Sequence, residues 1–395
     1  MTSTTIESTV GVGTGKVAKT AMYYAAFVAL GLASASLGPT LGGLAQHTRT
    51  RLSEISFLFT ARALGYLVGS LAGGRLYDRA PGHIVIACTF VVIAAMLALA
   101  PIMPFLWLLT VVLFFLGMGE GAVDVGGNTL LVWTHRSAVG PYMNGLHFFW
   151  GVGAFLSPII VAQAVLMSGD ISWAYWVLAM LMLPAAVGLL RLPSPATESH
   201  HEAGTTGQVN VLLVILIALF LFLYVGAEGS LGGWLFTYTT TLGLSGEAVA
   251  AYLTSSFWGA LTVGRLLAIP IAARLRPRSI LLIDLVGCLI SVGVILLAPG
   301  SMFAVWVGTL GAGLAMASIF PTTISLAESR IRITGQITGW FFVGASLGGM
   351  TVPWLIGQLF EPIGPRVTML IILADVIMAV GVFVAMMLSA RRASK

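Results

Sequence analysis

Glu120, Asp124 and Asn128 stand at i, i+4 and i+8 within an apolar stretch, a spacing that puts all three on one face of a helix. Two carboxylates one turn apart in low-dielectric surroundings cannot both ionise cheaply, so one takes up a proton, meets a cation or acquires a positive partner. That is the chemistry of proton or sodium binding. Asn128 adds one donor and one acceptor function, suited to a ligand rich in hydroxyls. Arg62 lies inside another apolar stretch, either as a counter-charge in a cavity or as an arginine extending outward along its own helix. A structural polar cluster joining Arg62 to these carboxylates is the competing reading. Glu228 sits among Gly226, Gly229, Gly232 and Gly233, and so many glycines predict a locally loosened helix that gives the carboxylate a polar setting. Trp150, Trp234, Trp258 and Trp340 are central tryptophans, whose rings suit either helix packing or the apolar face of a sugar, with the N–H free to bond a hydroxyl. His147 reads first as a packing histidine and second as a proton relay.

What must position these residues follows from composition. Of 395 residues, 58% are hydrophobic and 8% charged, against about 45–50% and about 25% in a soluble domain. So few charges cannot build a water-facing surface. A soluble enzyme, a secreted disulfide scaffold, a disordered chain and a nucleic-acid-binding module are excluded. Apolar runs long enough to cross a bilayer fall at 20–45, 54–74, 82–100, 105–132, 143–167, 172–191, 210–240, 247–269, 279–298, 301–327, 335–360 and 365–388. They are numbered spans one to twelve, all helical because isolated strands cannot satisfy their backbone in lipid. The expected division is a flexible cytoplasmic tail at 1–19, a six-helix bundle at 20–192, a cytoplasmic linker at 193–209, a second bundle at 210–388 and a tail at 389–395. The tail at 1–19 lacks the apolar core of a cleavable signal.

With both termini in the cytoplasm, fourteen of the nineteen basic residues lie on the inner side and only Arg49, Arg51 and Arg366 on the outer side, the bias expected of a multi-pass protein of the cytoplasmic membrane. Cys88 and Cys288 lie in separate apolar runs, without the spacing of a metal or redox site. No cofactor is expected. No nucleophile–base pair, zinc motif or Walker loop argues for an enzyme or an ATP-driven pump.

The two halves repeat. Gly117, Gly119, Asp124, Asn128 and Arg136 align with Gly311, Gly313, Ser318, Thr322 and Arg330; Pro158 and Gln163 align with Pro353 and Gln358; and Gly74-Arg75-Leu76 aligns with Gly264-Arg265-Leu266. A six-span unit duplicated in one orientation is the plan of transporters whose halves rock about a site between them.

Twelve spans in two such halves resemble the major facilitator superfamily. The loop Gly74-Arg75-Leu76-Tyr77-Asp78-Arg79-Ala80-Pro81-Gly82-His83 is similar to that superfamily's signature, with an extra residue before Gly82 and with His83 where the family prefers Arg or Lys. Gly117-x-Gly119 followed by Asp124-Val125-Gly126-Gly127-Asn128 in span four, Leu146 to Pro158 in span five, and Tyr224 to Glu228 with Gly233-Trp234 in span seven resemble the fucose permease and sodium-dependent glucose transporter group. The fucose permease pattern has an acidic residue in span one, and span one here has none. The resemblance implies that spans one, four, seven and ten line a cavity. It therefore favours Glu120, Asp124 and Glu228 over Asp284 and Asp375, in spans nine and twelve.

The expected protein is a monomeric secondary transporter that moves a small polar solute, a sugar by preference, by alternating access. A proton or sodium ion would bind at Asp124 and Glu120, with Arg62 as their counter-charge. Asn128, Glu228 and the four tryptophans would meet the solute. Gly74, Asp78 and Arg79 would form a gating loop. Efflux of drug-like amphiphiles by the same fold, or a receptor that binds without transport, are the alternatives.

Overall fold

The computed structural model describes residues 5–195, 210–331 and 335–392. The chain is all-helical over these residues, and twelve helical segments are long and apolar enough to cross a membrane. Spans two to nine begin and end within a few residues of the expected positions. The expected linker lies largely outside the described residues, as do 1–4 and 393–395.

Two spans are broken. Span one is a helix over Thr5–Ser34 followed by a second over Leu37–Thr48, and span ten is a helix over Met302–Met316 followed by one over Ile319–Glu328. Each second helix carries a proline at its third residue, Pro39 or Pro321. Proline has no N–H, and its ring collides with the carbonyl four residues back. That carbonyl belongs to Ala35 in one case and to Ala317 in the other, so the ladder fails at both points. The first helix begins at Thr5, inside the stretch expected to be a flexible tail. Extending an existing helix costs far less than nucleating one, and span one supplies the nucleus; Thr20 hydroxyl to Lys16 carbonyl (2.9 Å) continues the pattern downward.

Span seven, by contrast, is one unbroken helix over Val211–Thr241. The loosening expected there does not occur. Its glycines serve close approach instead: a Cβ at Gly232 would strike the Trp258 ring and one at Gly226 would meet Val352 and Asp375.

Span two (Phe57–Tyr77) and span four (Leu106–His135) pack against each other over their lengths through glycine on both sides. A Cβ on Gly65 or Gly69 would land on the backbone at Phe114 or Met118, and one on Gly117 or Gly121 on the backbone at Arg62 or Tyr66. Such contact replaces the hydrophobic drive that lipid does not provide. Gly69→Ala is therefore expected to cost about 1–3 kcal/mol through overpacking and to lower the unfolding midpoint in detergent. Gly74→Ala, with nothing within 4 Å of the added carbon, is expected to hold or raise it. Equal midpoints for the two variants would contradict the close approach.

The six-helix bundles meet along spans two and eleven, five and eight, and the second segment of span one with span seven. Their hydrogen bonds gather at one end. Gln358 donates to the Ser53 carbonyl (2.7 Å), the Leu52 N–H to Glu361 (3.0 Å), and Gln163 to the Tyr252 hydroxyl (2.5 Å). Thr60 donates to the Met350 carbonyl (3.0 Å) further in. Toward the opposite end Leu64, Leu266, Trp340 and Leu347 are exposed.

Candidate functional site

The broken end of the first helix is where the polar core of the first bundle assembles. Interrupting a helix leaves its last carbonyls without N–H partners. Here Ser157 donates to the Leu32 carbonyl (2.7 Å), and both Ser36 (2.7 Å) and Arg62 (2.7 Å) donate to the Ala33 carbonyl. A guanidinium also suits the negative end of a helix dipole. Arg62 turns its remaining edge to Glu120, with Nε–H to Oε2 at 2.9 Å and a second bond from NH2 to Oε1. The two are 9% and 3% exposed. This bidentate pair ties spans one, two and four together, and it is the polar cluster that the sequence offered as the competing reading. Arg62 does not extend outward.

One turn along, Tyr66 donates its hydroxyl to Asp124 Oδ2, and Asn128 Nδ2 reaches both Asp124 Oδ1 (3.1 Å) and the Asp124 carbonyl (2.8 Å). Arg62 with Glu120 and Tyr66 with Asp124 share one sequence offset, 58 residues. Two helices running the same way in tight register repeat an offset in this manner, and the glycines hold the register. Asp124, Asn128 and Tyr66 are all half-buried. Among the described residues no cation pairs with Asp124, so the two carboxylates that sequence grouped together have different surroundings. Glu120 is neutralised by Arg62. Asp124 has only neutral hydrogen-bond donors.

Across the seam, Arg265 of span eight faces Glu228 of span seven at 3.9 Å and lies over the Trp150 ring of span five, 5.4 Å from its centroid. Trp150 and Trp258 meet edge to face at 5.6 Å. His147, one turn before Trp150, stands within electrostatic reach of both Asp124 and Arg265. Tyr224, one turn before Glu228, donates to the Met316 carbonyl at the span-ten break (3.0 Å). Asp124, Asn128, Glu228, Trp150 and Trp258 thus gather where the bundles face each other.

The remaining expected residues do not join them. Trp234 is fully buried, its Nε1–H is bonded to the Pro353 carbonyl (2.9 Å), and its ring lies against Phe360 at 5.1 Å. In this structure it packs between spans seven and eleven. Trp340 is 57% exposed, near the start of span eleven (Gly335–Ile363). In the gating loop, Asp78 and Arg79 are exposed without an ion pair among the described residues, and Gly74 has open space beside it. Asp284 accepts from Ser318 (2.5 Å) at the span-ten break, and Asp375, 4% exposed, faces span seven near Gly226.

Sequence reasoning missed Tyr66, Tyr224 and Arg265. Tyr66 had a usable signal, since it follows Arg62 by the same four residues that separate Glu120 from Asp124. Gln163 and Gln358 were visible only as a repeated pair, yet both make hydrogen bonds between the bundles at the same end.

Comparison with known proteins gives this arrangement a family. The sequence model described as Major Facilitator Superfamily matches residues 23–353. The chain is 32% identical over 358 residues to sodium-dependent glucose transporter 1 of Xenopus laevis, covering 83% of this chain and 73% of that protein. It is 32% identical over 379 residues to sodium-dependent glucose transporter 1 of Homo sapiens, covering 86% and 73%. Among solved structures, the nucleoside transporter NupG superposes with a TM-score of 0.78 at 13% identity, covering 93% of this chain and 99% of that one. A D-xylose-proton symporter superposes with a TM-score of 0.76 at 14% identity, covering 92% and 97%. With its duplicated bundles and a polar site between them, the chain belongs to the Major Facilitator Superfamily and is a membrane transporter, not an enzyme.

Proposed function

We propose that this transporter carries a neutral sugar together with a cation, sodium or a proton. The observation that carries the reading is the carboxylate of Asp124, half-buried at the seam between the bundles and held by Tyr66 and Asn128 without a cationic partner among the described residues. An intramembrane charge is costly unless it is paired. Of the three carboxylates at the seam, Glu120 and Glu228 each face an arginine, which leaves Asp124 as the one there that calls for an external cation. The tryptophan faces and the Asn128 amide suit a hydroxyl-bearing solute. The names of the relatives, sodium-dependent glucose transporters, support glucose as the first solute to try.

In this reading the protein lies in the cytoplasmic membrane with both termini inside, as the basic residues favour. The hydrogen-bonded end of the seam then faces outward, and the separated end opens the cavity to the cytoplasm. Asn128, Glu228, Trp150 and Trp258 contact the solute, and Asp124 carries the ion. Glu120 and Arg62 hold the ion site from behind. Asp78 and Arg79, exposed here, gain partners in the opposite bundle only when the cytoplasmic end closes.

The test is uptake of labelled D-glucose by proteoliposomes under an imposed sodium or proton gradient. Accumulation that follows one gradient supports the reading and names the ion. Glucose equilibration insensitive to either gradient overturns the coupling. Transport of amphiphilic dyes without any glucose flux would favour efflux of drug-like compounds instead.

A further inference from the structure

Arg265 stands apart from the other buried or half-buried arginine of the site. Arg62 spends its donors on Glu120 and on the Ala33 carbonyl. Arg265 makes no hydrogen bond among the described residues. Glu228 lies at 3.9 Å, close enough to attract the charge and too far to accept a bond. The guanidinium carbon lies over the Trp150 ring, within cation–π range. A guanidinium carries five N–H donors around its edge, and a cation–π contact uses none of them. Its side chain is 25% exposed, beside the contact between spans five and eight. A second donor nearby is in the same condition: the Trp258 Nε1–H is buried without an acceptor, and its ring stands against that same Trp150. The Trp258 N–H is enclosed, with its side of the ring against Gly232, so Arg265 is the donor here with exposed surface to offer acceptor oxygens.

The backbone beneath Arg265 is firmly held. A Cβ at neighbouring Gly264 would press on Ala317 and on the Leu314 carbonyl of span ten, and Thr262 fits against Gly151 of span five. Span eight is thus wedged between spans ten and five on either side of the arginine, and the guanidinium has a fixed base.

We propose that Arg265 is the substrate-positioning residue of the site: with Glu228 and the Trp150 ring beside it, it donates to adjacent hydroxyl oxygens of the solute. The neighbouring Glu228 balances its charge, so the subsite takes neutral hydroxyls in preference to a carboxylate. This rests on the sugar-transport reading and adds to it the residue that sets hydroxyl recognition. Because Arg265 belongs to one bundle and Trp150 to the other, a solute held there touches both at once, as alternating access requires.

The experiment measures binding of D-glucose, the monodeoxyglucoses and D-glucuronate to purified full-length protein. Wild type is expected to lose about 10- to 100-fold in affinity for the deoxyglucoses that lack the contacted hydroxyls, the range of a hydrogen bond to a charged donor. In Arg265→Gln, glucose binding weakens by a similar factor and those deoxyglucoses no longer differ from glucose. Arg265→Lys, which keeps the charge and loses the planar fork, gives the same flattened profile. An unchanged glucose affinity and deoxyglucose profile in both variants overturns the proposal while the sugar reading stands. So does wild-type preference for glucuronate over glucose. If neither variant folds, phenylglyoxal footprinting of wild type decides: glucose slows modification of Arg265 and not of exposed Arg75, and no slowing at Arg265 overturns the assignment. Failure of wild type to bind any of these sugars removes the sugar reading and this inference together.

Discussion

Asp124→Asn is expected to abolish gradient-driven accumulation while leaving exchange of solute across the membrane in place. Asparagine keeps the size of the side chain and one acceptor oxygen, which can serve Tyr66, while Asn128 keeps its bond to the carbonyl of residue 124. It removes the charge and turns one acceptor oxygen into an N–H donor. A cation drives a conformational equilibrium by the difference in its affinity for the two states and by nothing else. Couplings of this kind amount to about 1–3 kcal/mol, or roughly 5- to 150-fold. Uptake against a gradient should therefore fall by about 10- to 100-fold, toward the level reached without an ion gradient. Counterflow, in which labelled solute exchanges for unlabelled, should fall much less. Both are measured in the same proteoliposomes. Accumulation that survives in Asp124→Asn would move the ion site elsewhere, with Asp284 and Asp375 the next carboxylates to replace.

The second large effect concerns stability. Arg62 and Glu120 are both buried and bonded to each other through two contacts. Removing one member strands the other as a buried charge, at a cost of about 3–5 kcal/mol, whereas replacing both often costs little. Arg62→Met and Glu120→Gln should each lower the thermal unfolding midpoint sharply. The double variant should recover most of the loss. Recovery will not be complete, because Arg62 also caps the Ala33 carbonyl where span one breaks. Additive losses in the double variant would mean that the two side chains act independently, contrary to the geometry. If the pair is only a brace, the double variant should retain cation-coupled uptake, and this separates Glu120 from Asp124 more directly than either single change.

The fold was readable because lipid enforces it. Twelve apolar runs and the internal repeat at Gly117–Asn128 point to the fold class, and the helices fall where hydropathy puts them. The polar residues of span four were equally visible, since charge is rare in such sequence. What sequence did not separate was brace from site. Glu120 and Asp124 have the same spacing and the same chemistry, and their difference arises from span two, where Arg62 meets one and Tyr66 the other. Trp234 and Trp150 were alike for the same reason. Only packing reveals that one spends its N–H on a carbonyl within its own bundle and the other lies under an arginine from the opposite bundle. The glycines of span seven misled because composition cannot distinguish a loosened helix from a smooth one, and the actual breaks came from Pro39 and Pro321, single residues in unremarked places. Arg265 was passed over because it stands near the edge of its apolar run, where a basic residue ordinarily sets topology.

Spans two and four, locked by glycine along their shared face, have a mechanical consequence. They form one stiff beam, and the beam is fastened to the other bundle near one end, through Ser53, Leu52 and Thr60. The helix Phe57–Tyr77 has 21 residues, a lever of about 31 Å at 1.5 Å per residue. A tilt of about 10° about the fastened end sweeps the free end through about 5 Å, close to one helical pitch. Asp124, partway along, travels a fraction of that distance. The beam thus amplifies at the membrane face a small displacement at the centre, and the carboxylate can keep its hold on Tyr66 throughout the stroke.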